Sequence, residues 1–296
     1  MKELIGTGVA LVTPFKADMT IDVPALRKIV HYCIDGGIDY LVALGTTGES
    51  VTLKKSEKQI VIDTVVTANG GSLPLVLGVG GNNTATVVEE LRTLDLSPFS
   101  AVLSVSPYYN RPTQEGIYRH FEAISNASPK PIIVYNVPGR TGSNMLPATT
   151  LRLAKDFKNI VAVKEACGEM KQVKQLLAGK PEGFHIISGD DVTALPTVLA
   201  GGSGVISVLG QGLPNAFSGM IALGMQGKGD EALKQHFALQ VGMDMIFEEG
   251  NPAGIKAIFE LLGLSGAAVR LPLVEASDSL KIRLNNFIKQ FAKTEA

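Results

Sequence analysis

Eight short apolar segments recur along the chain at intervals of roughly 30 residues, and stretches with helical patterning separate them. Because the segments are apolar at successive positions, they predict strands buried on both faces, as in a parallel sheet covered by helices. A count of eight favours closure into a (β/α)₈ barrel, an α/β fold of the TIM-barrel type, over an open doubly wound sheet. The predicted strands are residues 6–15, 39–44, 73–79, 99–105, 131–135, 159–166, 184–188 and 205–209.

Helical patterning lies between the predicted strands and continues alone after the last of them. The predicted helices of the barrel include residues 23–36, 56–68, 84–94, 114–125 and 147–156, with Ser56 and Thr84 as N-caps. After about residue 229 the strand pattern stops, and helices are predicted at residues 230–248, 252–262 and 275–293. We therefore predict a barrel in residues 1–228 and a C-terminal helical appendage in residues 229–296.

The composition argues against several classes of function. The formal net charge is −1 with no long run of one sign, so we expect neither a nucleic-acid partner nor a membrane-surface partner. No Gly-x-Gly-x-x-Gly motif follows the first strand, which argues against a dinucleotide site. No apolar stretch approaches the roughly 20 residues of a membrane span. Cys33 and Cys167 have no C-x-x-C context, which predicts reduced thiols in a cytoplasmic protein.

Lys164 closes the sixth predicted strand, where a charged residue is unusual. Burial disfavours the ammonium form, and a neutral lysine amine is the nucleophile that condenses with a carbonyl to form a Schiff base. The alternative is a lysine that reaches water at the strand end or pairs with Glu165. The position predicts a candidate nucleophile, and the residue alone does not decide between these roles.

Polar residues also follow the second and fourth strands, at the end of a barrel where active sites are built. Thr46 and Thr47 lie between glycines, and backbone N–H groups in such a turn can hold a small carboxylate or phosphate. Tyr108 and Tyr109 follow the fourth strand and are candidates for proton transfer. A glycine-rich turn and aromatic packing under a loop are the structural alternatives for the two pairs.

Tyr135 ends the fifth strand, next to the strand of Lys164, and neighbouring strands lie about 4.8 Å apart. A phenol beside a Schiff-base lysine can transfer the protons that carbinolamine formation and dehydration require. Alternatively, its hydroxyl bonds to the backbone above the barrel core. Arg140, in the following turn, can bind a substrate carboxylate through two hydrogen bonds, or it is a solvated turn residue.

The turns after the seventh and eighth strands permit two further hypotheses. Asp190 and Asp191 resemble part of a cation site, but no other carboxylate or histidine accompanies them, so we predict no metal and a helix N-cap role. Gly189 and the turn at residues 210–212 occupy positions where many barrels bind phosphate. No basic residue lies near these turns, which argues against a phosphate-binding isomerase or transferase.

Six motifs in this order resemble those of the pyruvate-dependent class I aldolase family, which contains the dihydrodipicolinate synthases and the N-acetylneuraminate lyases. The resemblance extends over essentially the whole chain and is closer to the synthases, because the lyases usually carry another residue in place of Arg140. The motifs are GTTGE at residues 45–49, PYYN at 107–110, YNVPGRTG at 135–142, VKEA at 163–166, SGDD at 188–191 and GVIS at 204–207.

The resemblance implies that Lys164 forms a Schiff base with pyruvate. Thr46 and Thr47 are then expected to hold the pyruvate carboxylate, and Ile206 to contact pyruvate through its backbone. Gly189 belongs to the same expected substrate-binding set. The family uses neither a metal nor an organic cofactor, so we expect none here.

The resemblance also implies a proton relay and an assembly. Tyr135 is expected to act as general acid and base, with Thr46 and Tyr109 completing the relay. Arg140 is expected to bind the carboxylate of L-aspartate 4-semialdehyde, the second substrate, in lysine and diaminopimelate biosynthesis. Because Tyr109 reaches a neighbouring subunit in this family, we expect a homo-oligomer, a tetramer built from tight dimers.

Synthases that lysine inhibits carry a pocket at the dimer interface, and this chain departs from its pattern. Lys55 and Lys58 replace histidines and Thr86 replaces a glutamate, so a bound lysine would meet like charge and lose a carboxylate. We therefore expect weak or absent inhibition by lysine. The candidate allosteric residues, at compatible positions, are Ser50, Val51, Asn82 and Tyr108.

Two other functions remain open from the sequence. The same Schiff-base chemistry can cleave a 2-keto-3-deoxy sugar acid such as N-acetylneuraminate, although Arg140 argues against it. A catalytically inactive relative that acts as a binding protein is the other alternative. Every expected catalytic position is retained, which argues against that interpretation.

Overall fold

A computed structural model describes residues 2–295, and the side chains of residues 3–292. Met1 and Ala296, the outer ends of the two predicted units, lie outside the described residues. Within this range eight parallel strands pair in chain order, and the last pairs with the first, which closes the predicted (β/α)₈ barrel. The strands are β1 Gly6–Ala10, β2 Tyr40–Ala43, β3 Leu75–Gly78, β4 Ala101–Val105, β5 Ile132–Asn136, β6 Ile160–Glu165, β7 His185–Ser188 and β8 Gly204–Ser207.

Helices connect the strands and cover the outside of the barrel. Those of the barrel are α1 Val23–Asp35, α2 Lys55–Asn69, α3 Thr84–Thr93, α4 Gln114–Ala127, α5 Pro138–Thr141, α6 Pro147–Asp156, α7 Met170–Gly179, α8 Ala194–Leu199 and α9 Pro214–Met225. The C-terminal helices are α10 Gly229–Glu248, α11 Ala253–Leu261 and α12 Asp278–Glu295. In the described part of the chain, no helix combines the length and the apolar character that crossing a membrane requires.

Two predicted N-caps are wrong by one or two residues. Helix α2 begins at Lys55, where the Glu57 carboxylate accepts the Lys54 N–H at 2.8 Å, so Ser56 lies inside the helix. Helix α3 is capped by Asn83, whose side chain accepts the Ala85 N–H at 3.1 Å. In both helices a side chain other than the predicted hydroxyl accepts the hydrogen bond at the N-terminus, Glu57 from the N-cap N–H in α2 and Asn83 from a first-turn N–H in α3.

The core has two layers, and strand alternation decides which residues enter each. Outward-facing residues pack against the helices in the larger cluster, while Tyr40, Ile133, Tyr135, Ala162 and Ile206 belong to a smaller cluster inside the barrel. Successive residues of a strand face opposite sides. Lys164 therefore shares the inner side with Ala162, two positions earlier.

Glu165 lies on the opposite, outer side of β6. Its carboxylate accepts hydrogen bonds from the Asn136 amide at 2.8 and 3.1 Å, from the Gln172 amide at 2.9 Å and from the Cys167 N–H at 2.9 Å. This buried network links β5, β6 and α7. Glu165 therefore does not form the ion pair with Lys164 that the sequence left open. Its carboxylate bonds on the opposite face of β6.

The C-terminal helices are joined to the barrel by a buried ion pair. The Lys256 ammonium of α11, with a fully buried side chain, donates to the Glu49 carboxylate and to the Ala268 carbonyl at 2.8 Å. The other Glu49 oxygen accepts the Arg270 N–H at 2.9 Å. Burial lowers the pKa of Lys256 to about 8, while the Glu49 charge acts in the opposite direction. Glu49 follows the turn after β2, so the appendage anchors that turn.

Replacing Lys256 with methionine should lower the free energy of unfolding by about 3–5 kcal/mol, because the Glu49 carboxylate stays buried without its counter-charge. The double variant Glu49→Gln/Lys256→Met should recover much of the loss. Urea unfolding followed by circular dichroism measures both. The control Arg119→Met removes a cation whose ion pairs are exposed and should change stability little. A Lys256→Met protein as stable as the control would contradict the assignment.

Candidate active site

Lys164 and Tyr135 are direct neighbours at the carboxyl ends of β6 and β5. Both are buried, with 4% and 6% of their surfaces exposed. The Lys164 Nζ lies 4.3 Å from the centroid of the Tyr135 ring. The parallel register thus brings together the amine and the phenol that the sequence placed on adjacent strands.

The environment of Lys164 favours its neutral form. Burial lowers the pKa of the amine to about 7, and the nearby Asp191 carboxylate opposes this shift by favouring the ammonium. Asp191 is itself buried, which raises the pKa of its carboxyl group to about 6. A substantial fraction of Lys164 is therefore unprotonated near neutral pH, as a nucleophilic amine requires.

Tyr135 remains protonated at neutral pH. Burial raises the pKa of its phenol to about 12, against the lowering effects of the Arg140 charge and of a hydrogen bond with Thr46. The structure thus joins three predicted site residues, Tyr135, Thr46 and Arg140. A protonated phenol that is hydrogen-bonded to a hydroxyl can donate a proton and recover it through that contact.

Thr46 and Thr47 lie in a short 3₁₀ turn, Thr46–Gly48, directly after β2. Thr47 is buried, and its hydroxyl accepts a hydrogen bond of 2.9 Å from the Asn251 side-chain amide. The sequence pattern does not predict a role for Asn251. The following Pro252 predicts only the start of a helix, and the contact with Thr47 joins residues 204 positions apart.

Arg140 lies on α5, the short helix that follows β5, at the mouth of the barrel. It lines a cavity of ≈ 230 Å³ together with Thr46, Tyr135 and Tyr108. Lys164 is not among the lining residues of this cavity, and its amine lies behind the lining residue Tyr135, 4.3 Å from the ring centroid. The cavity places the Arg140 guanidinium and the hydroxyl groups of Thr46, Tyr108 and Tyr135 around a volume suited to a small molecule that carries a carboxylate.

Tyr109 points away from this cavity. Its side chain is 88% exposed, and its φ of 72° lies in the left-handed region. Tyr109 is not among the cavity-lining residues. A single chain therefore leaves the predicted relay without its third member.

Gly189 and Ile206 approach Lys164 and the barrel interior from β7 and β8. A Cβ at Gly189 would lie 2.7 Å from the Ala166 Cβ and 3.0 Å from both Cε and Cγ of Lys164, so a larger residue there would press on both side chains. Ile206 is fully buried in the inner cluster. The missing side chain at Gly189 is therefore a steric requirement of the lysine position.

The helix N-cap role predicted for Asp190 and Asp191 is wrong for Asp191, whereas the Asp190 carboxylate accepts the Thr193 N–H at 2.9 Å directly before α8. The Asp191 side chain bonds elsewhere. Its carboxylate accepts the N–H groups of Val208 and Leu209, the latter at 2.8 Å, which ties the loop after β7 to the loop after β8. Helix α8 has Thr193 at its N-cap position. The loop after β8 lacks its own partners for these N–H groups, and a buried carboxylate supplies them.

Comparisons with known proteins match nearly the whole chain to one enzyme family. The model of the Dihydrodipicolinate synthetase family matches residues 3–291. A 4-hydroxy-tetrahydrodipicolinate synthase of Flavobacterium psychrophilum is 62% identical over 293 residues, 99% of this chain and 100% of the relative.

Solved structures of dihydrodipicolinate synthases superimpose closely on this chain. A dihydrodipicolinate synthase from Thermotoga maritima superimposes with a TM-score of 0.95 at 35% identity, covering 98% of this chain and 99% of that one. The corresponding protein from Cyanidioschyzon merolae, with lysine bound, has a TM-score of 0.93 at 34% identity, covering 98% and 99%.

The lowered pKa of Lys164 predicts the pH dependence of imine formation. Below about pH 7 the neutral fraction of the amine falls about tenfold per pH unit, and above that pH the rate of imine formation should level off. The rate is measured by trapping the pyruvate adduct with borohydride and weighing the protein.

Two results would bear on this prediction. Asp191→Asn removes the charge that favours the ammonium, so it should move the midpoint to lower pH. A wild-type rate that keeps rising toward pH 10, as for an exposed lysine, would contradict the desolvated amine.

Proposed function

The chain belongs to the dihydrodipicolinate synthetase family, and from this premise we propose that it condenses pyruvate with L-aspartate 4-semialdehyde to give 4-hydroxy-tetrahydrodipicolinate. The reaction belongs to lysine and diaminopimelate biosynthesis. The observation that carries the proposal is the buried Lys164 beside Tyr135, in a chain that is 62% identical to a 4-hydroxy-tetrahydrodipicolinate synthase.

The chemistry begins with attack of the neutral Lys164 amine on the C2 carbonyl of pyruvate. The Tyr135 phenol protonates the carbinolamine hydroxyl, water leaves, and an imine forms on Lys164. The Tyr135 phenolate then takes a proton from C3, which converts the imine into an enamine and restores the phenol. The enamine carbon attacks the aldehyde of the second substrate, and the phenol protonates the resulting alkoxide. The amino group of the condensed product then closes a ring at the imine carbon and releases Lys164.

The carboxylate of pyruvate is assigned to Thr46 and Thr47, in the turn after β2. This proposal is supported by a hydroxyl and backbone N–H groups that follow a buried strand at the same barrel end as Lys164. Ile206 approaches from β8, and Gly189 leaves the space that the lysine occupies. Together they would hold pyruvate with its carbonyl at the amine.

Arg140 is assigned to the carboxylate of the second substrate. The support is its place in the wall of the cavity that Tyr135 also lines, and its positive charge near the phenol. A planar guanidinium binds a carboxylate with two parallel hydrogen bonds. A sugar aldehyde offers no such group at that position, which favours the synthase over the lyase reaction.

A phosphate-binding barrel is disfavoured by how the turn after β8 is bonded. The Gly210 N–H donates to the Ser207 hydroxyl at 2.8 Å, and the Gly212 N–H donates to the Leu209 carbonyl at 2.8 Å. The side-chain amide of Gln211 donates to the Ala10 carbonyl at 2.8 Å. Because these donors are already used within the chain, they are not available to a phosphate.

We propose a homo-oligomer, a tetramer of tight dimers, as the working form. The support is Tyr109, which is 88% exposed in one chain although its expected role requires contact with an active site. Val51, in the loop after β2, is a second large hydrophobic side chain that one chain leaves exposed, to 83%.

We also propose a cytoplasmic location, because Cys33 and Cys167 are unpaired.

The candidate allosteric residues lie near the same cavity. Ser50 and Tyr108 line it, and the Asn82 amide donates to the Tyr108 carbonyl at 3.2 Å. Lys58 also lines the cavity, with its ammonium 3.8 Å from the Glu90 carboxylate. Glu90 also lines the cavity and is an acidic group that could attract a ligand's ammonium. Its charge is partly neutralised by the ion pair with Lys58.

L-Lysine should inhibit this enzyme weakly or not at all, because its side-chain ammonium would meet Lys58 and find the Glu90 charge partly paired. Steady-state rates with increasing L-lysine test this. Lys58→His removes the permanent like charge and should strengthen inhibition, whereas Lys234→His, on α10, should not. Inhibition of the wild type well below millimolar lysine would refute the proposal.

Substrate preference and the Lys164 role are tested together. Pyruvate-dependent turnover is measured with aspartate semialdehyde, N-acetylmannosamine and glyceraldehyde, in wild type and Lys164→Ala. We expect only the semialdehyde to be consumed, and only by wild type, because Lys164 carries the reacting amine. Arg140→Ala should weaken use of the semialdehyde while pyruvate still forms the imine.

Each contrary result has a distinct meaning. Preference for a sugar aldehyde would keep the Schiff-base mechanism and overturn the role of Arg140. Full activity of Lys164→Ala would overturn the mechanism itself.

A further inference from the structure

Asn251 is a residue of the C-terminal appendage that contacts both carboxylate-binding candidates of the barrel. It lies between α10 and α11 and is 5% exposed. Its side-chain amide donates to the Thr47 hydroxyl at 2.9 Å, and its main-chain carbonyl accepts from Arg140 Nη2 at 3.4 Å. One residue from outside the barrel thus connects the proposed pyruvate site to the proposed semialdehyde site.

The contact with Thr47 determines how that hydroxyl can be used. A hydroxyl has one proton to donate and two lone pairs that accept. Because the Asn251 N–H occupies a lone pair, the Thr47 proton remains available to another acceptor. An ionised carboxylate only accepts hydrogen bonds, so the arrangement presets Thr47 as a donor to the pyruvate carboxylate.

The position of Asn251 is fixed by its surroundings. Gly254, three residues later, packs so closely on α10 that a Cβ there would lie 2.3 Å from the Ile246 carbonyl oxygen. Lys256 is held in the buried ion pair with Glu49, two residues after Thr47. The two ends of the Asn251–Thr47 contact are therefore anchored independently of that hydrogen bond.

We propose that Asn251 is a positioning residue that orients the Thr47 hydroxyl toward the pyruvate carboxylate and supports Arg140 through its carbonyl. The inference rests on the proposed function and assigns a role in substrate binding to the C-terminal helices. It predicts that side-chain changes at Asn251 act mainly on pyruvate binding, because the Arg140 contact uses the main chain and survives them.

The first test is Asn251→Ala, read as the pyruvate concentration that gives half-maximal borohydride trapping on Lys164. We expect this concentration and the KM for pyruvate to rise about 5- to 10-fold, the effect of one oriented hydrogen bond of roughly 1 kcal/mol. The KM for the semialdehyde should change much less. An unchanged pyruvate dependence would overturn the inference.

A matched control separates positioning from general loss of stability. Asn69, 2% exposed, exchanges two hydrogen bonds with Leu73 in the loop that leads into β3, at the opposite end of the barrel. Asn69→Ala removes a similarly buried amide and should leave the pyruvate dependence unchanged. If it raised the KM for pyruvate as much as Asn251→Ala, the effect would be one of stability, and the inference would be overturned.

Asn251→Asp keeps the shape but reverses the hydrogen bond, because a carboxylate accepts the Thr47 proton. Positioning predicts weaker pyruvate binding than in wild type despite the isosteric side chain, whereas a packing role predicts rescue. In a Thr47→Val background, Asn251→Ala should add less than about twofold, since the coupled group is gone. Full additivity would overturn the inference, and Asn251→Asp carries the test if the alanine variant does not fold.

Trapping of pyruvate on Lys164 distinguishes failure of the proposed function from failure of the Asn251 role. If wild type traps no pyruvate, the proposed function and this inference fall together. If wild type and Asn69→Ala trap pyruvate normally and Asn251→Ala does so equally well, only the role of Asn251 is lost.

Discussion

Closure of the sheet is the constraint on which the rest of this structure depends. Eight parallel strands satisfy their edge groups by pairing β1 with β8, and the interior is then filled by side chains that exclude water. Lys164 faces that interior. Its pKa is lowered because that interior is shielded from water and desolvation disfavours the ammonium form.

Closure also explains why the candidate site gathers residues from distant parts of the chain. The ends of parallel strands meet at one rim, so Thr46 after β2, Tyr135 on β5 and Lys164 on β6 share a region without being close in sequence. Their fine placement depends on the outer layer. The Glu165 network holds β5 and β6 together behind the two reactive side chains, and Gly189 leaves the volume that the lysine fills.

The appendage is part of this arrangement. The Lys256–Glu49 ion pair fixes the chain just after the threonine turn, and Asn251 contacts Thr47 and Arg140 from the same side. A barrel rim is made of loops, which are the least constrained parts of the fold. The Lys256–Glu49 ion pair and the Asn251–Thr47 hydrogen bond hold the loop after β2 against the C-terminal helices. The same contacts thus stabilise the fold and position the proposed pyruvate site.

The sequence by itself determined the eight strands and the helical cover, because side-chain periodicity is a local property of the chain. It also placed Tyr135 beside Lys164, because consecutive strands of a parallel barrel are neighbours. The predicted caps at Ser56 and Thr84 and the predicted cap role of Asp191 are wrong, since the N-caps of α2 and α3 lie two residues and one residue earlier than predicted and Asp191 bonds to the loop after β8. Only the tertiary structure decided that Asn251 bonds to Thr47, or that Lys256 pairs with Glu49, across 204 and 207 residues. Such contacts follow from how the helices pack on the closed barrel, and no local pattern encodes that packing.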